Sequence, residues 1–343
     1  MKMISFEDFA AQGNVIWSIR RQIREKRLVH AIMISGEPGT GKRTFAALLA
    51  RSLLCTAASS EDIPCGKCEG CMTALSGEHP DLISIRKGVP LSAETKKGRA
   101  TVPVEDIREM IRICSQHSYL GGNRVVLVED AEDMTPQAQN CLLKILEEPP
   151  QDTYFILTSC QPARVLITIR SRCRPLKMKP WAADMIRQIL ISSCTDPSKA
   201  AAVSAASDGS IGKAIRIASD EEYWKMRESV IGIFFCSGSR SEILKISSEW
   251  KDRKADAELL LSVLENVIHT MLDHRLNQNS LSFVQNLPAE WISFSEKASL
   301  DRFAFLSDRI HEARKQLAYN VNFQAVFEQL LLSFLGEYNQ WVQ

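Results

Sequence analysis

The first half of the chain alternates short apolar runs with longer segments whose apolar residues recur at helical spacing. Short runs rich in Val, Ile and Leu are typical of strands in a parallel sheet that is covered on both faces. Repeated strand–helix units therefore predict a parallel sheet with helices on both sides. The predicted strands are Ala31–Ser35, Leu82–Ile85, Arg124–Val128, Tyr154–Thr158 and Pro175–Met178, and the predicted helices are Arg43–Leu54, Val104–Cys114 and a segment from Pro136 to about Leu146.

Beyond Pro180 the strand pattern is replaced by helical spacing. Residues 181–220 contain small helical segments with an Ala-rich stretch at Ala200–Ala206, and long helical segments such as Ala255–His274 and Phe323–Leu335 follow. These shifts predict three domains. They are an α/β domain at 1–178 that carries a cysteine-rich insertion at 55–71, a small helical domain at 179–220 and an all-α domain at 221–343.

Composition and charge narrow the class of protein. The 343 residues include 42 Lys+Arg and 41 Asp+Glu, a formal net charge of +1, and 45% are hydrophobic. This is ordinary globular usage, and the balanced charge argues against coating nucleic acid by bulk electrostatics. The N-terminus has acids where a signal peptide needs an apolar core, and no apolar stretch approaches the roughly 18–20 residues of a membrane helix. The sequence therefore predicts a soluble cytoplasmic protein.

A glycine-rich turn separates the first predicted strand from the first predicted helix. It reads Gly36-Glu37-Pro38-Gly39-Thr40-Gly41-Lys42. In this setting Gly36, Gly39 and Gly41 direct backbone amides at a phosphate, and Lys42 reaches the terminal phosphates.

The residue after the lysine departs from the phosphate-loop pattern. A Ser or Thr hydroxyl that holds Mg²⁺ is expected there, but the residue is Arg43, and Thr44 lies about 100° further round the helix. Two interpretations follow. The loop binds ATP or ADP without efficient hydrolysis, or it keeps the turn and has lost the chemistry.

Two acids follow the apolar strand Arg124–Val128. In a P-loop ATPase the first acid after this strand supports Mg²⁺, and a following Glu polarises the attacking water. Here the pair is Glu129 and then Asp130, whose shorter side chain would set the second carboxylate about 1.5 Å back. The alternative is that these acids cap the next helix and face solvent.

Four cysteines are clustered just after the first helix. Cys55, Cys65, Cys68 and Cys71 form the spacing C-x9-C-x2-C-x2-C. Four thiolates at such spacing make a closed tetrahedral zinc site, which leaves no open position for a substrate. The cluster therefore predicts structural zinc, and a metal-free redox cluster is the alternative.

Several segments together resemble one family, the bacterial DNA polymerase III clamp-loader subunits within the AAA+ ATPases. The cysteine quartet is similar to the zinc module of that family. The segment that follows the quartet is similar to the segment that follows the module in the family. The remaining resemblances appear in family order between about Phe6 and Leu335. The matching segments are Gly77–Asp81, the run Gln139–Pro150 that ends in Leu-Glu-Glu-Pro-Pro, Thr168–Cys173 with its Ser-Arg-Cys motif, and Asn320-Val321-Asn322.

The resemblance implies a fold and a set of partners. It implies an AAA+ P-loop domain with a parallel sheet and a zinc module at 1–178, a lid domain at 179–220 and a helical collar domain at 221–343. It also implies assembly with gamma/tau-type and delta-type subunits into a hetero-pentameric ring, which loads the sliding clamp onto primed DNA. The chain would contact clamp and DNA through that complex, and no membrane is involved.

Departures from the family pattern imply which subunit the chain resembles. Arg43 replaces the loop hydroxyl, Glu129-Asp130 replaces the motor subunit's Asp-Glu pair, and Gly212 stands where the motor has its sensor-2 arginine. Arg172 of the Ser-Arg-Cys motif is intact; in this family that arginine reaches the neighbouring subunit's nucleotide as an arginine finger. The resemblance thus implies a delta-prime-like stator that acts in trans.

Three alternatives remain open from the sequence. The chain could be a catalytically active gamma/tau-type ATPase, which requires Arg43 and Gly212 to be tolerated. It could be a zinc-bearing DNA-binding protein, although clustered Lys and Arg are lacking. Arg172 itself could be an ion-paired arginine at a strand end.

Overall fold

The parallel sheet predicted from the sequence is present in the computed structural model. The structure describes residues 4–57, 63–193, 195–236, 240–251, 253–276, 295–296, 298–319 and 321–339. Five parallel strands pair in the order β2-β3-β4-β1-β5. They are β1 (Ala31–Ser35), β2 (Leu82–Ile85), β3 (Arg124–Val128), β4 (Thr153–Ser159) and β5 (Arg174–Lys177).

The helices follow the predicted pattern, and the predicted bounds are confirmed to within two residues wherever both ends were given, except at the final long helix. The helices are α1 (Asn14–Arg24), α2 (Lys42–Leu53), α3 (Glu69–Ser76), α4 (Val104–Cys114), α5 (Pro136–Glu147), α6 (Ile167–Arg172), α7 (Ala183–Ser192), α8 (Pro197–Ala206), α9 (Ile211–Ser219), α10 (Glu221–Cys236), α11 (Arg240–Trp250), α12 (Ala257–Leu276), α13 (Leu300–Ala318) and α14 (Phe323–Asn339). The last of these runs past the predicted end at Leu335. Among the residues of the Asn320-Val321-Asn322 motif, Asn320 lies outside the described part of the chain.

The central strands of the sheet are mostly apolar and almost entirely buried, as in a parallel sheet that is covered on both faces. All five residues of β3 are buried, including the side chain of Arg124. On one face Ile107 of α4 and Leu142 of α5 pack in a single core cluster with Val126 and Phe155. Helix α5 begins as predicted: the Thr135 hydroxyl accepts a 3.2 Å hydrogen bond from the Ala138 amide, and Pro136 is the first helical residue.

A buried ion pair joins the start of β3 to the loop before β2. Arg124 Nη2 lies 3.4 Å from Asp81 Oδ1, and both side chains are almost fully buried. The same guanidinium donates to the carbonyls of the last two residues of α4 and of two residues just beyond it, while Asp81 accepts from the amides of Tyr119 and Leu120. These contacts satisfy the exposed carbonyl end of α4, so Arg124 is a structural residue.

The chain forms two compact units. The first contains Met1–Trp181 together with Ser210–Gly212, and the second contains Ala182–Gly209 and Lys213–Gln343. The described part of the second unit is helical, and the stacked rings of Trp250 and Phe327, 5.2 Å apart, lie in its core. The division into three domains stays a prediction. Within the described ranges, every helix is too short or too polar to cross a bilayer.

Candidate functional site

The glycine loop connects β1 to α2 and has the backbone that the sequence demands. Gly39 and Gly41 have φ of +76° and +92°, a region that glycine adopts without strain. The Lys42 ammonium is buried and donates to the carbonyls of Gly36 and Glu37 at 2.9 and 2.7 Å. The lysine at the N-terminus of α2 thus folds back onto the loop, and its ammonium is held by the loop's own carbonyls.

Residues far along the chain hold the loop in place. The Gly212 amide donates a 3.0 Å hydrogen bond to the Gly39 carbonyl, and Trp181 Nε1 donates to the Thr40 carbonyl at 2.9 Å. A Cβ at Gly39 would lie 2.0 Å from Ser210 Oγ, a hydroxyl that would have to rotate away, and the φ of +76° is the stronger reason for glycine here. These contacts were not predicted from the sequence. Of these three distant residues, only Gly212 was noted there, and Trp181 and Ser210 were not.

Arg43 contacts both acids that follow β3. Its Nε lies 3.2 Å from Glu129 Oε2, and its Nη2 forms an ion pair with Asp130. Burial lowers the pKa of Arg43, but Asp130 and Glu129 outweigh it, so the pKa is raised and the guanidinium stays charged. The structure therefore brings together Arg43, Glu129 and Asp130, all of which depart from the ATPase pattern. Thr44, by contrast, is exposed on α2.

Asp130 is turned toward the loop by its backbone. Its φ of +48° lies in the left-handed region, and its amide donates a 3.0 Å hydrogen bond to the buried Thr158 hydroxyl at the end of β4. The acids are thus anchored at the carboxyl edge of the sheet. The alternative that they only cap the next helix does not match this geometry, because both carboxylates contact Arg43.

A third acid, Glu132, is buried beside this cluster and was missed by the sequence analysis. Its Oε1 accepts from the amides of Cys160 and Gln161 at 2.8 and 3.2 Å. One ligand atom each from Asp130, Glu132 and Cys160 lie within 4.8 Å of one another. A cation there would meet the guanidinium already paired with Asp130, and this like-charge contact disfavours a metal at that position.

The four clustered cysteines converge as the spacing predicts. The Cys55 and Cys68 sulfurs are 3.8 Å apart, and those of Cys65 and Cys71 are 4.0 Å apart. A tetrahedron with zinc–sulfur bonds of about 2.3 Å has sulfur–sulfur edges of about 3.8 Å, so the four side chains fit zinc. The Cys68 amide donates to Cys65 Sγ and the Cys71 amide to Cys68 Sγ, each at 3.4 Å.

Burial and hydrogen bonds act in opposite directions on these thiols. Burial raises the pKa of Cys55 and of Cys71. It also acts to raise the pKa of Cys68, but hydrogen bonds from Thr56 and from the Cys71 amide outweigh it and lower this pKa to about 5. Cys68 thus loses its proton more readily than Cys55 or Cys71, which suits a metal ligand.

A close backbone contact at Gly70 places α3 against the end of α2. A Cβ at Gly70 would lie 2.2 Å from the Leu54 carbonyl oxygen, so only glycine fits there. This contact brings Cys71, on α3, next to Cys55, which follows α2. Gly70 therefore has a packing role within α3.

Arg172 is the last residue of α6, one residue before Cys173 and two before β5. Its side chain is about one-third exposed and forms an ion pair with Glu147 at the end of α5, and Nη1 donates to the Thr168 carbonyl at 2.9 Å. The alternative of an ion-paired arginine at a strand end is correct about the ion pair and wrong about the element, which is a helix. Sequence reasoning missed the partner, Glu147.

Comparison with known proteins identifies the family. The family model described as "DNA polymerase III, delta subunit" matches residues 11–182, which is 172 of the 343 residues. DNA polymerase III subunit delta' of Bacillus subtilis (strain 168) is 29% identical over 329 residues, 94% of this chain and 95% of that protein. The Escherichia coli (strain K12) subunit delta' is 40% identical over 145 residues, 42% of this chain and 41% of that protein.

A tau-type subunit is also similar to this chain, but the match covers a smaller share of that protein's length. DNA polymerase III subunit tau of Escherichia coli (strain K12) is 31% identical over 186 residues, 54% of this chain but 27% of that protein. The family resemblance read from the motifs is thereby confirmed. Since the matching model covers half of the chain and the Bacillus subtilis subunit aligns along nearly its whole length, the chain belongs to the family of DNA polymerase III delta-prime subunits.

Proposed function

We propose that this chain is the delta-prime-type subunit of a bacterial clamp loader, a stator of AAA+ type in a hetero-pentameric cytoplasmic ring with gamma/tau-type and delta-type subunits. The ring opens the sliding clamp and places it on primed DNA. In this proposal the chain hydrolyses little or no ATP itself. It contributes Arg172 to the nucleotide bound by a neighbouring gamma/tau-type subunit.

One observation carries this proposal: Arg43 is paired with both Glu129 and Asp130. In a P-loop ATPase the residue after the lysine and the acid after this strand hold Mg²⁺ between them. Here the residue after the lysine is the cation Arg43, and the acid after the strand, Glu129, forms an ion pair with it. The chain's own loop therefore lacks the ligands that hydrolysis needs, whatever nucleotide it binds.

Arg172 supports the second half of the proposal. Its guanidinium is partly exposed at a helix end, and the contacts that it makes are one surface ion pair and one carbonyl. Such an ion pair contributes about 0–1 kcal/mol, so the side chain can leave it at low cost. An arginine that reaches a transferring phosphoryl group stabilises the charge that develops there, an effect of about 10³–10⁵ in rate.

The four-cysteine module has a supporting role in the proposal. With four thiolates bound to one zinc ion, no position is left for a substrate, so the module stabilises the end of α2 and α3 and takes no part in catalysis. By resemblance, the helical segment at 179–220 is assigned as a lid domain, and the collar at 221–343 is assigned to assembly with the other subunits.

The test is clamp- and DNA-stimulated ATP turnover of the ring reconstituted with gamma/tau-type and delta-type subunits. We expect Arg172→Ala in this chain to lower turnover at the adjacent site by about 10³ or more, and Lys42→Ala to leave it unchanged. Arg170→Ala is the matched control, since Arg170 is an exposed arginine on the same helix. A loss as deep with Lys42→Ala would instead identify a gamma/tau-type motor.

A further inference from the structure

The two acids at the end of β3 are largely buried beside an arginine. The Glu129 and Asp130 side chains are 17% and 19% exposed, whereas that of Arg43 is 55% exposed. Adjacent carboxylates with so little contact with water need a nearby positive charge. The Arg43 guanidinium provides it by contacting both of them at once.

We propose that the Arg43 guanidinium is a built-in replacement for the divalent cation of a P-loop ATPase site. It supplies, from the chain itself, the positive charge that Mg²⁺ supplies between the loop and the strand-end acid. The proposal rests on the proposed function for the comparison with an ATPase site. It adds that the acids are held by an ion pair and that the site excludes Mg²⁺.

The position of Arg43 in the chain supports this role. It is the first residue after Lys42, where the metal-binding hydroxyl of a P-loop stands. Its side chain crosses from α2 to the end of β3, which is the gap that the metal bridges in such a site. A guanidinium is charged at every physiological pH and presents several donors in a plane, so it can contact two carboxylates together.

The same contacts make Mg²⁺ binding unfavourable. Mg²⁺ requires oxygen ligands at about 2.0–2.1 Å in near-octahedral geometry. To reach the Asp130 carboxylate it would have to displace the guanidinium, and it would then lie next to that positive charge. The loop lysine is no obstacle, because its ammonium is directed at the carbonyls of Gly36 and Glu37.

The experiment measures Mn²⁺ binding to the full-length, zinc-loaded chain by electron paramagnetic resonance, with Mn²⁺ as the paramagnetic stand-in for Mg²⁺. Neither nucleotide nor partner subunits are present, so the result is independent of the turnover test of Arg172. We expect Arg43→Gln to bind Mn²⁺ about tenfold more tightly than the wild type or more. Arg43→Lys, which keeps the charge but cannot contact both carboxylates with separate nitrogens of one plane, should bind Mn²⁺ with an affinity between those of the wild type and Arg43→Gln.

Two controls isolate the site. Arg112→Gln removes another exposed arginine that is paired with an acid, Glu109, and should leave Mn²⁺ binding unchanged. Adding Glu129→Gln and Asp130→Asn to Arg43→Gln should abolish the gain. A folded Arg43→Gln chain that binds Mn²⁺ no better than the wild type would overturn the proposal.

A second measurement does not depend on the folding of Arg43→Gln. In the wild-type background, Glu129→Gln with Asp130→Asn should leave Mn²⁺ affinity unchanged, because these acids hold the guanidinium and no divalent cation. If this double substitution weakens Mn²⁺ binding by tenfold, the acids already hold the cation in the wild type and the inference is wrong.

Discussion

The guanidinium of Arg172 is paired with the carboxylate of Glu147, which joins the end of α6 to the end of α5. Both side chains are partly exposed, at 34% and 49%, so the pair contributes at most about 1 kcal/mol. We therefore expect Glu147→Gln to change stimulated ATP turnover of the reconstituted ring by less than about fivefold. Arg172→Ala should lower turnover at the adjacent site by about 10³–10⁵.

The comparison of these two variants separates a positioning contact from the proposed arginine finger. Glu148→Gln is a matched control, because Glu148 is an exposed neighbouring acid. A loss of turnover with Glu147→Gln as large as that with Arg172→Ala would show that Glu147 acts in catalysis, against the expectation of a weak surface pair.

Zinc is expected to stabilise the first unit. The thiols of Cys55, Cys65, Cys68 and Cys71 converge at tetrahedral spacing, and binding at such a site is coupled to folding. We predict one zinc ion per chain by atomic absorption. Cys68→Ser should lose the metal and lower the melting temperature, whereas Cys141→Ser, a half-buried cysteine on α5, should retain it. A wild-type chain that contains no zinc would contradict this prediction. So would a zinc-loaded chain whose melting temperature is unchanged after the metal is removed by a chelator.

Local structure could be predicted from the sequence because its causes are local. The β-branched run Arg124–Val128 is typical of a buried strand, and Thr135 followed by Pro136 marks a helix start; both predictions were confirmed. The cysteine spacing likewise predicted the cluster, because its members lie within 17 positions of the chain, from 55 to 71.

Contacts between distant residues could not be predicted in the same way. Arg43 and Asp130 are 87 positions apart, and they meet because parallel strands end at one edge of the sheet. The sequence marked both as departures from an ATPase pattern but gave no sign that they pair. The hydrogen bond from Gly212 to Gly39 spans still more of the chain. Gly212 was noted in the sequence only because it stands in the place of an arginine, which gave no indication of this contact.

Gly70 should be intolerant of a side chain. A Cβ there would lie 2.2 Å from the Leu54 carbonyl oxygen, and backbone cannot move aside as a flexible side chain can. We predict that Gly70→Ala destabilises the chain by about 1–3 kcal/mol and weakens zinc retention, because α3 must shift away from Cys55. Gly122→Ala is the control, since a Cβ at Gly122 has open space and its φ is ordinary. Thermal melting and zinc release to a chelator measure both effects; equal behaviour of the two variants would contradict the packing role.

Stability should fall in mild acid because of His79. This residue is buried, and its Nδ1 accepts a 3.1 Å hydrogen bond from the Asp81 amide, which requires the neutral ring. Burial lowers the pKa of His79 below its usual 6.5, outweighing the acids that would raise it. As the pH falls through 6.5, the unfolded chain takes up a proton that the folded chain does not, so stability declines until the pH passes the folded-state pKa.

The measurement is the melting temperature between pH 7.5 and 5.5 for three chains. His79→Asn keeps an acceptor for the Asp81 amide but cannot titrate, so its melting temperature should fall less steeply with pH than that of the wild type. His117→Asn, which alters an exposed histidine, should follow the wild type. Zinc content is measured at each pH, because acid release of metal from the cysteines would affect all three chains alike. Identical slopes for wild type and His79→Asn would mean that the buried imidazole does not couple folding to pH.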